Sequence, residues 1–314
     1  MRRDVGIGRE GLLPGAVLAG ATAVVSGVSV FVNGSGVRAL PNPALYTTAK
    51  NLVAAALLGV AAVAIPAWRG APAAARARPT SRLGRAARAA GLAYVAAIGG
   101  GVAFVLFFTG LARTSAEPAA FVHDTIVIFV GALAWIALRE RVAAWNLVAM
   151  VALVGGQALV SGGIGRVTGA GGLMLVLAAT LLWAVEVVVV KRLLSYVSPG
   201  RLALLRMGGG SVLLVGYLGV DHELGALAAL SGREVAWVLA TGALLACYVG
   251  TWFTALARGR AVDVTSVLAG GVVVTAALEA ITGHPGLAPE PVGLGLVIAG
   301  AATVYWRWPR GSVA

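Results

Sequence analysis

The chain has 314 residues, 59% of them apolar and 11% charged, with a mean hydropathy of +0.92. A water-soluble domain carries about 25% charged residues, so this composition excludes an ordinary soluble fold and reads as an integral membrane protein. The net charge of +12 gives no nucleic-acid partner, because most of the 24 basic residues sit in short gaps between apolar runs, and the single cysteine, Cys247, excludes a disulfide framework.

Ten apolar segments follow one another: 12–32, 43–67, 90–111, 118–138, 143–161, 171–190, 200–219, 234–256, 262–281 and 291–308. Each is near the ~20 residues a helix needs to cross a bilayer. The expected fold class is therefore all-α integral membrane, with ten transmembrane helices. The first segment follows "MRRDVGIGRE" and could be mistaken for a signal peptide. It stays uncharged for longer than a cleavable apolar region of about 7–15 residues, so it is expected to be retained.

Lys and Arg in the gaps set the expected orientation. With the N-terminus in the cytoplasm, the inside gaps hold 18 basic residues, six of them in the stretch 69–90. The outside gaps hold four: Arg38, Arg113, Arg166 and Arg233. The bias alternates at every gap and predicts a multi-pass cell-membrane protein with both termini cytoplasmic. The Arg-rich stretch 69–90 reads as an anchor near anionic lipid.

Segment 3 ends "FFTGLAR" (107–113) and segment 8 ends "WFTALAR" (252–258), 145 positions on. A second pairing sets "LPNPALYTTAKNL" (40–52) against "YVSPGRLALLRMG" (196–208), matching Pro43 with Pro199 and Lys50 with Arg206 at an offset of 156. Two copies of a five-helix unit explain both, one over 12–162 and one over 171–308. Five is odd, so the second copy lies inverted in the membrane. Inverted repeats can rock about a central site and expose it to either side, as secondary transporters do.

The residues 99–156, beginning "GGGVAFVLFFTGLARTSAEPAAFVHDTIVIF", resemble the second part of an EamA domain, and 181–210, "LLWAVEVVVVKRLLSYVSPGRLALLRMGGG", resemble the start of another. The resemblance implies the drug/metabolite transporter superfamily. Many relatives carry a Pro in the middle of helix 4. This chain reads "HDTIVIF" there, which predicts a straighter helix.

A charge at mid-membrane costs about 2.5–3.5 kcal/mol on insertion scales and is a functional candidate by default. Segment 4 carries Glu117 near one end and His123 and Asp124 two turns in; Glu117 and Asp124, seven apart, share a face. They suggest a proton-titratable site with His123 tuning Asp124. The alternative is a structural ion pair between Asp124 and Lys50. Segment 6 carries Glu186 with Trp183 and Thr180 at i−3 spacing; its alternative is pairing with Lys191, Arg192 or Arg206. Arg206 could instead snorkel to the membrane surface. Lys50, with Tyr46, Thr47 and Asn51 nearby, forms a polar cluster in segment 2. Thr22, Ser26, Ser29 and Asn33, spaced 4, 3, 4, share one face of segment 1. They would line a watered cavity or act as helix–helix contacts. Tyr248 offers a similar surface in segment 8. Gly99 to Gly101 and Gly208 to Gly210 read as close-packing positions.

The three histidines, His123, His222 and His284, have no zinc spacing, and no Walker A or dinucleotide fingerprint occurs, so no metal and no cofactor is expected. The expected partners are the lipid bilayer and a small-molecule substrate. The reading is a non-enzymatic secondary transporter of small polar metabolites or amino-acid-like solutes, an exporter coupled to protons. The alternative is an intramembrane enzyme or a lipid-handling protein on the same scaffold.

Overall fold

The computed structural model describes residues 15–40, 42–69, 81–114, 116–160, 169–282 and 291–308. Among them regular structure is helical throughout. The main helices are α1 (Gly15–Ala39), α2 (Pro43–Ala64), α3 (Arg82–Leu111), α4 (residues 116–138), α5 (Ala144–Val160), α6 (Ala170–Leu193), α7 (Pro199–Val220), α8 (Gly232–Arg258), α9 (Ala261–Thr282) and α10 (Pro291–Trp306). His284 lies outside the described residues.

Eight of these are long and apolar enough to cross a membrane; α5 and α10 are shorter apolar helices. At about 1.5 Å per residue, the 17 residues of α5 and the 16 of α10 fall short of a ~30 Å hydrocarbon core. The two pack tightly on each other. Large apolar side chains such as Val60, Ile136, Val151 and Val212 point outward, each more than three-fifths exposed. A water-soluble surface does not carry such a coat, and this one faces lipid. The molecule is a multi-pass membrane protein.

Two expectations are corrected here. The first concerns the Arg-rich stretch 69–90, placed above in a gap between apolar segments. Its second part is helix: Ser81 caps Gly84 N–H at 3.0 Å, and "RLGRAARAAGLA" is rich in the helix formers Arg and Ala. α3 therefore begins at Arg82, with a wide π-helical stretch at Tyr94–Val102. The second concerns α4. It lacks the proline but is interrupted all the same, at Thr125. The Thr125 hydroxyl donates to Val122 O at 2.6 Å, and Ile128 N–H reaches Thr125 O at 2.9 Å, tightening the turn. α9 is likewise interrupted, between Leu268 and Gly271.

The packing has a definite pattern. α1 lies on α8 and α3 on α6; α2 lies on α8 and α3 on α7; α1 lies on α9 and α4 on α6; α2 meets α7, and α5 meets α10. Exchanging α1–α5 for α6–α10 in order swaps the members of the first three pairs of contacts and leaves α2–α7 and α5–α10 unchanged. Gly100 of α3 and Gly210 of α7 meet backbone to backbone, where a Cβ on either would come within 2.0 Å of a carbonyl oxygen across the interface.

The two ends of the bundle differ in their ties. At one, Asn42 donates to the Glu223 carboxylate, joining the start of α2 to the end of α7. At the other, Glu140 accepts from Ala261 N–H at 2.9 Å and Val262 N–H at 3.3 Å, capping α9. There Lys191 also binds the carbonyls of Leu256 and Gly259.

Candidate functional site

A cavity of about 380 Å³ opens between α1, α4, α5, α8 and α9. Ser26, His123, Asp124, Gln157, Tyr248 and Glu279 supply most of its polar lining, with Phe107 and Val272 among the apolar groups. Both interrupted helices border it. Asp124 immediately precedes the break in α4, and Ala269 lies in the break of α9. Gln157 donates to the Ala269 carbonyl freed there, at 3.4 Å.

Three of the sequence candidates thus meet on one cavity: His123, Asp124 and Tyr248, joined by Ser26. Among the described residues Asp124 makes no ion pair, so the Asp124–Lys50 pair weighed from sequence does not form. His123 Nδ1 lies 3.4 Å from Thr180 Oγ1, and its ring sits 5.2 Å from that of Trp183 and 5.3 Å from that of Phe107. Glu117 lies in the first turn of α4.

Glu186 has a different fate. Arg206 grips it through two N–H groups, Nε–Oε1 at 2.6 Å and Nη2–Oε2 at 3.2 Å, and both side chains are buried. This corrects the idea that Arg206 snorkels, and it selects one partner for Glu186 from three. The reason is geometric. Gly99 has no side chain, and a Cβ there would lie 2.2 Å from the Glu186 carboxylate, so α3 leaves the acid room. Trp183 donates to Gly99 O at 3.1 Å, and the Phe104 ring lies 5.3 Å from the Arg206 guanidinium carbon.

Lys50 is equally buried, at 5% exposure. Its Nζ donates to Asn33 Oδ1 at 3.0 Å and lies over the rings of Tyr46, at 4.9 Å, and Phe108, at 5.0 Å. Tyr46 donates to the same Asn33 oxygen at 2.5 Å, and Asn33 donates to Ser29 Oγ at 2.9 Å. The polar face expected on α1 is therefore divided. Ser26 lines the cavity; Ser29 and Asn33 serve Lys50; Thr22 is buried and bonds its own helix at Leu18 O.

Sequence reasoning missed Gln157, Asp263 and the phenylalanines of α3. Gln157 was legible as an amide within an apolar segment. Asp263 is fully buried, held by Arg260 through Oδ2 at 2.6 Å and Oδ1 at 2.8 Å and by Asn146 at 3.1 Å. Phe104, Phe107 and Phe108 look in a sequence like ordinary lipid-facing residues. No cluster of His, Cys, Asp or Glu suited to a metal occurs among the described residues.

The family model described as the EamA-like transporter family matches residues 13–162 and again 170–306. The chain belongs to that family. Solved structures also match; one, described as "Crystal structure of protein", has a TM-score of 0.71 at 19% identity, covers 92% of this chain and 95% of that chain, and shares the fold. Comparison with curated proteins gives no match.

Proposed function

We propose that the protein is a secondary transporter that exports small polar metabolites or amino-acid-like solutes in exchange for protons. Its substrate site is the cavity between α1, α4, α5, α8 and α9. One observation carries this reading: a carboxylate, Asp124, lines a cavity bordered by two interrupted helices, where freed backbone groups and a titratable side chain can share a solute. A carboxylate that takes a proton from one side and yields it to admit solute on the other performs exchange. With the proton gradient directed inward, net solute flow is outward.

The architecture proposed with it is ten spans in two inverted repeats, 12–162 and 171–308, with α5 and α10 crossing as a short pair. The exchange-symmetric packing supports it, as do the two EamA matches. Both termini are assigned to the cytoplasm on the 18-to-4 distribution of basic residues. The Asn42 end then faces outward.

The test is flux in proteoliposomes with an imposed pH gradient, using amino acids, amines and nucleosides as solutes. An impermeant thiol reagent acting on a single cysteine within 221–233, in a Cys247→Ala background, reports which way the molecules are inserted. Wild type is expected to move at least one solute unaltered, with a rate that follows the gradient, and Asp124→Asn is expected to abolish the pH dependence. Unchanged pH dependence in Asp124→Asn would remove that residue from coupling. Chemical conversion of the solute would favour the enzyme reading.

A further inference from the structure

A second cavity, of about 330 Å³, lies apart from the first, at the Asn42 end between α2, α3 and α7. Thr47, Thr109, Arg113 and Tyr217 line it together with two acids, Asp221 and Glu223, the second already bonded by Asn42, and Phe104 and Phe108 of α3 also face it. Those two rings are stacked, with centroids 6.4 Å apart and planes 7° from parallel. The matched cations of the two halves lie against them: Arg206 against Phe104 at 5.3 Å and Lys50 against Phe108 at 5.0 Å. The neighbouring Phe107 faces the other cavity, its ring 5.3 Å from that of Phe108 and near perpendicular to it. One short stretch of α3 therefore separates the two cavities.

The cations behind this partition are not equivalent. Arg206 has its carboxylate. Lys50 is an ammonium with three N–H donors, and among the described residues it finds one oxygen, on Asn33, and two ring faces. A buried charge without a counter-ion is held at a cost, and an anion from outside the chain would remove it. A ring edge swings aside more readily than a backbone does.

We infer that Lys50, which sits behind the Phe108 wall of this outer cavity and not on its lining, is an anion-binding site reached from it, taking the carboxylate of a small free solute once the Phe108 ring moves off the ammonium. The Tyr46 hydroxyl, which donates to Asn33 Oδ1 in this structure, stands beside it as a further donor. The cavity's aromatic lining suits a carboxylate attached to a flat apolar body. The inference rests on the transport reading only for the cavity's role as a vestibule; anion binding at Lys50 stands or falls separately.

Benzoate is the probe, with neutral benzamide as its shape control. The full chain is held in phosphatidylcholine nanodiscs at fixed ionic strength, and melting is followed by intrinsic fluorescence. Benzoate is expected to raise the Tm of wild type by roughly 2–4 °C at saturation, and benzamide to leave it unmoved. Lys50→Met is expected to fold, to melt no lower than wild type without ligand, and to show no benzoate shift; Lys50→Arg keeps the shift. Phe108→Ala is expected to bind benzoate at a lower concentration than wild type. A wild type that does not respond, a benzamide shift equal to that of benzoate, or a full benzoate shift in Lys50→Met would overturn the site. Replacing part of the phosphatidylcholine with phosphatidylglycerol tests a lipid headgroup as the anion, and loss of the benzoate shift there would overturn the assignment to a free solute. Asp124→Asn separates the two readings: it is expected to lose proton-coupled flux and keep the benzoate shift.

Discussion

Lys50 and Arg206 occupy matched places in α2 and α7, and their surroundings differ in one respect. Arg206 lies in a closed circuit: two N–H groups on Glu186, a methionine sulfur at 3.6 Å and an aromatic face. Lys50 has an amide oxygen and two aromatic faces. Gly15 and Gly172 register α1 against α6, since a Cβ on either would strike the backbone of Arg258 or Arg113, the terminal arginines of the repeated heptapeptide. They are 157 apart, and 157 before Glu186 stands Ser29. The first half therefore has a hydroxyl where the second has a carboxylate. The residue types fit this difference. A guanidinium offers a planar fork that matches one carboxylate, whereas an ammonium is a point charge that accepts varied partners. A repeat can thus hold one cation as structure and free the other for a ligand.

The largest effect should come from opening the closed circuit. Glu186→Ala leaves a guanidinium buried without its acid and is expected to cost about 3–5 kcal/mol of stability. Melting or denaturant unfolding in detergent measures this. Glu186→Leu combined with Arg206→Met should recover most of the loss, since a buried pair is often replaceable by packed apolar groups. If Glu186→Ala unfolds no more easily than wild type, the contrast between the two cations disappears.

A smaller effect is expected in the first half. Asn33→Leu strips Lys50 and the Tyr46 hydroxyl of their shared oxygen, leaving two buried donors short of an acceptor, at about 1–3 kcal/mol. Adding Lys50→Met to Asn33→Leu should return most of it, because one of those donors is then gone. The same melting measurement decides. A loss as large as that of Glu186→Ala would show that Asn33 holds Lys50 as firmly as an acid holds Arg206.

Much of this was legible in the sequence. Apolar run length located ten helices, because a bilayer fixes how long a span must be. The heptapeptide pair and the Lys50/Arg206 match pointed to the two halves. Side-chain pairing was not legible. Nothing in a chain of letters says that Gly99 vacates the space Glu186 fills, or that Ser26 and Ser29, three apart on one predicted face, serve different sites. Glu186 had three basic candidates, two of them on its own helix, and helix packing chose the most distant in sequence, Arg206. The break in α4 was missed for a related reason: without a proline the helix was expected to be straighter, but a threonine hydroxyl turned onto Val122 O accompanies a break there, and threonine does this in only some helices.

The smallest stability effect is also the most discriminating. Ser29→Glu places on α1 the acid that α6 carries at the matched position, one turn from Asn33. If the two halves share their geometry, the new carboxylate reaches Lys50 and closes a circuit like that of Arg206. Desolvating one more charge then offsets most of the Coulomb gain, so net stability should move by no more than about 1 kcal/mol in either direction. The coupling is what changes. Lys50→Met is expected to be harmless in wild type but to cost about 3–5 kcal/mol in the Ser29→Glu background, because it strands the new carboxylate. A double-mutant cycle on the four proteins measures that difference directly. The benzoate response should vanish in Ser29→Glu, since the ammonium now has its counter-ion, and return in Ser29→Gln. Additive effects of Ser29→Glu and Lys50→Met, with benzoate still bound, would mean that the register linking Ser29 to Glu186 does not carry the side chain to Lys50.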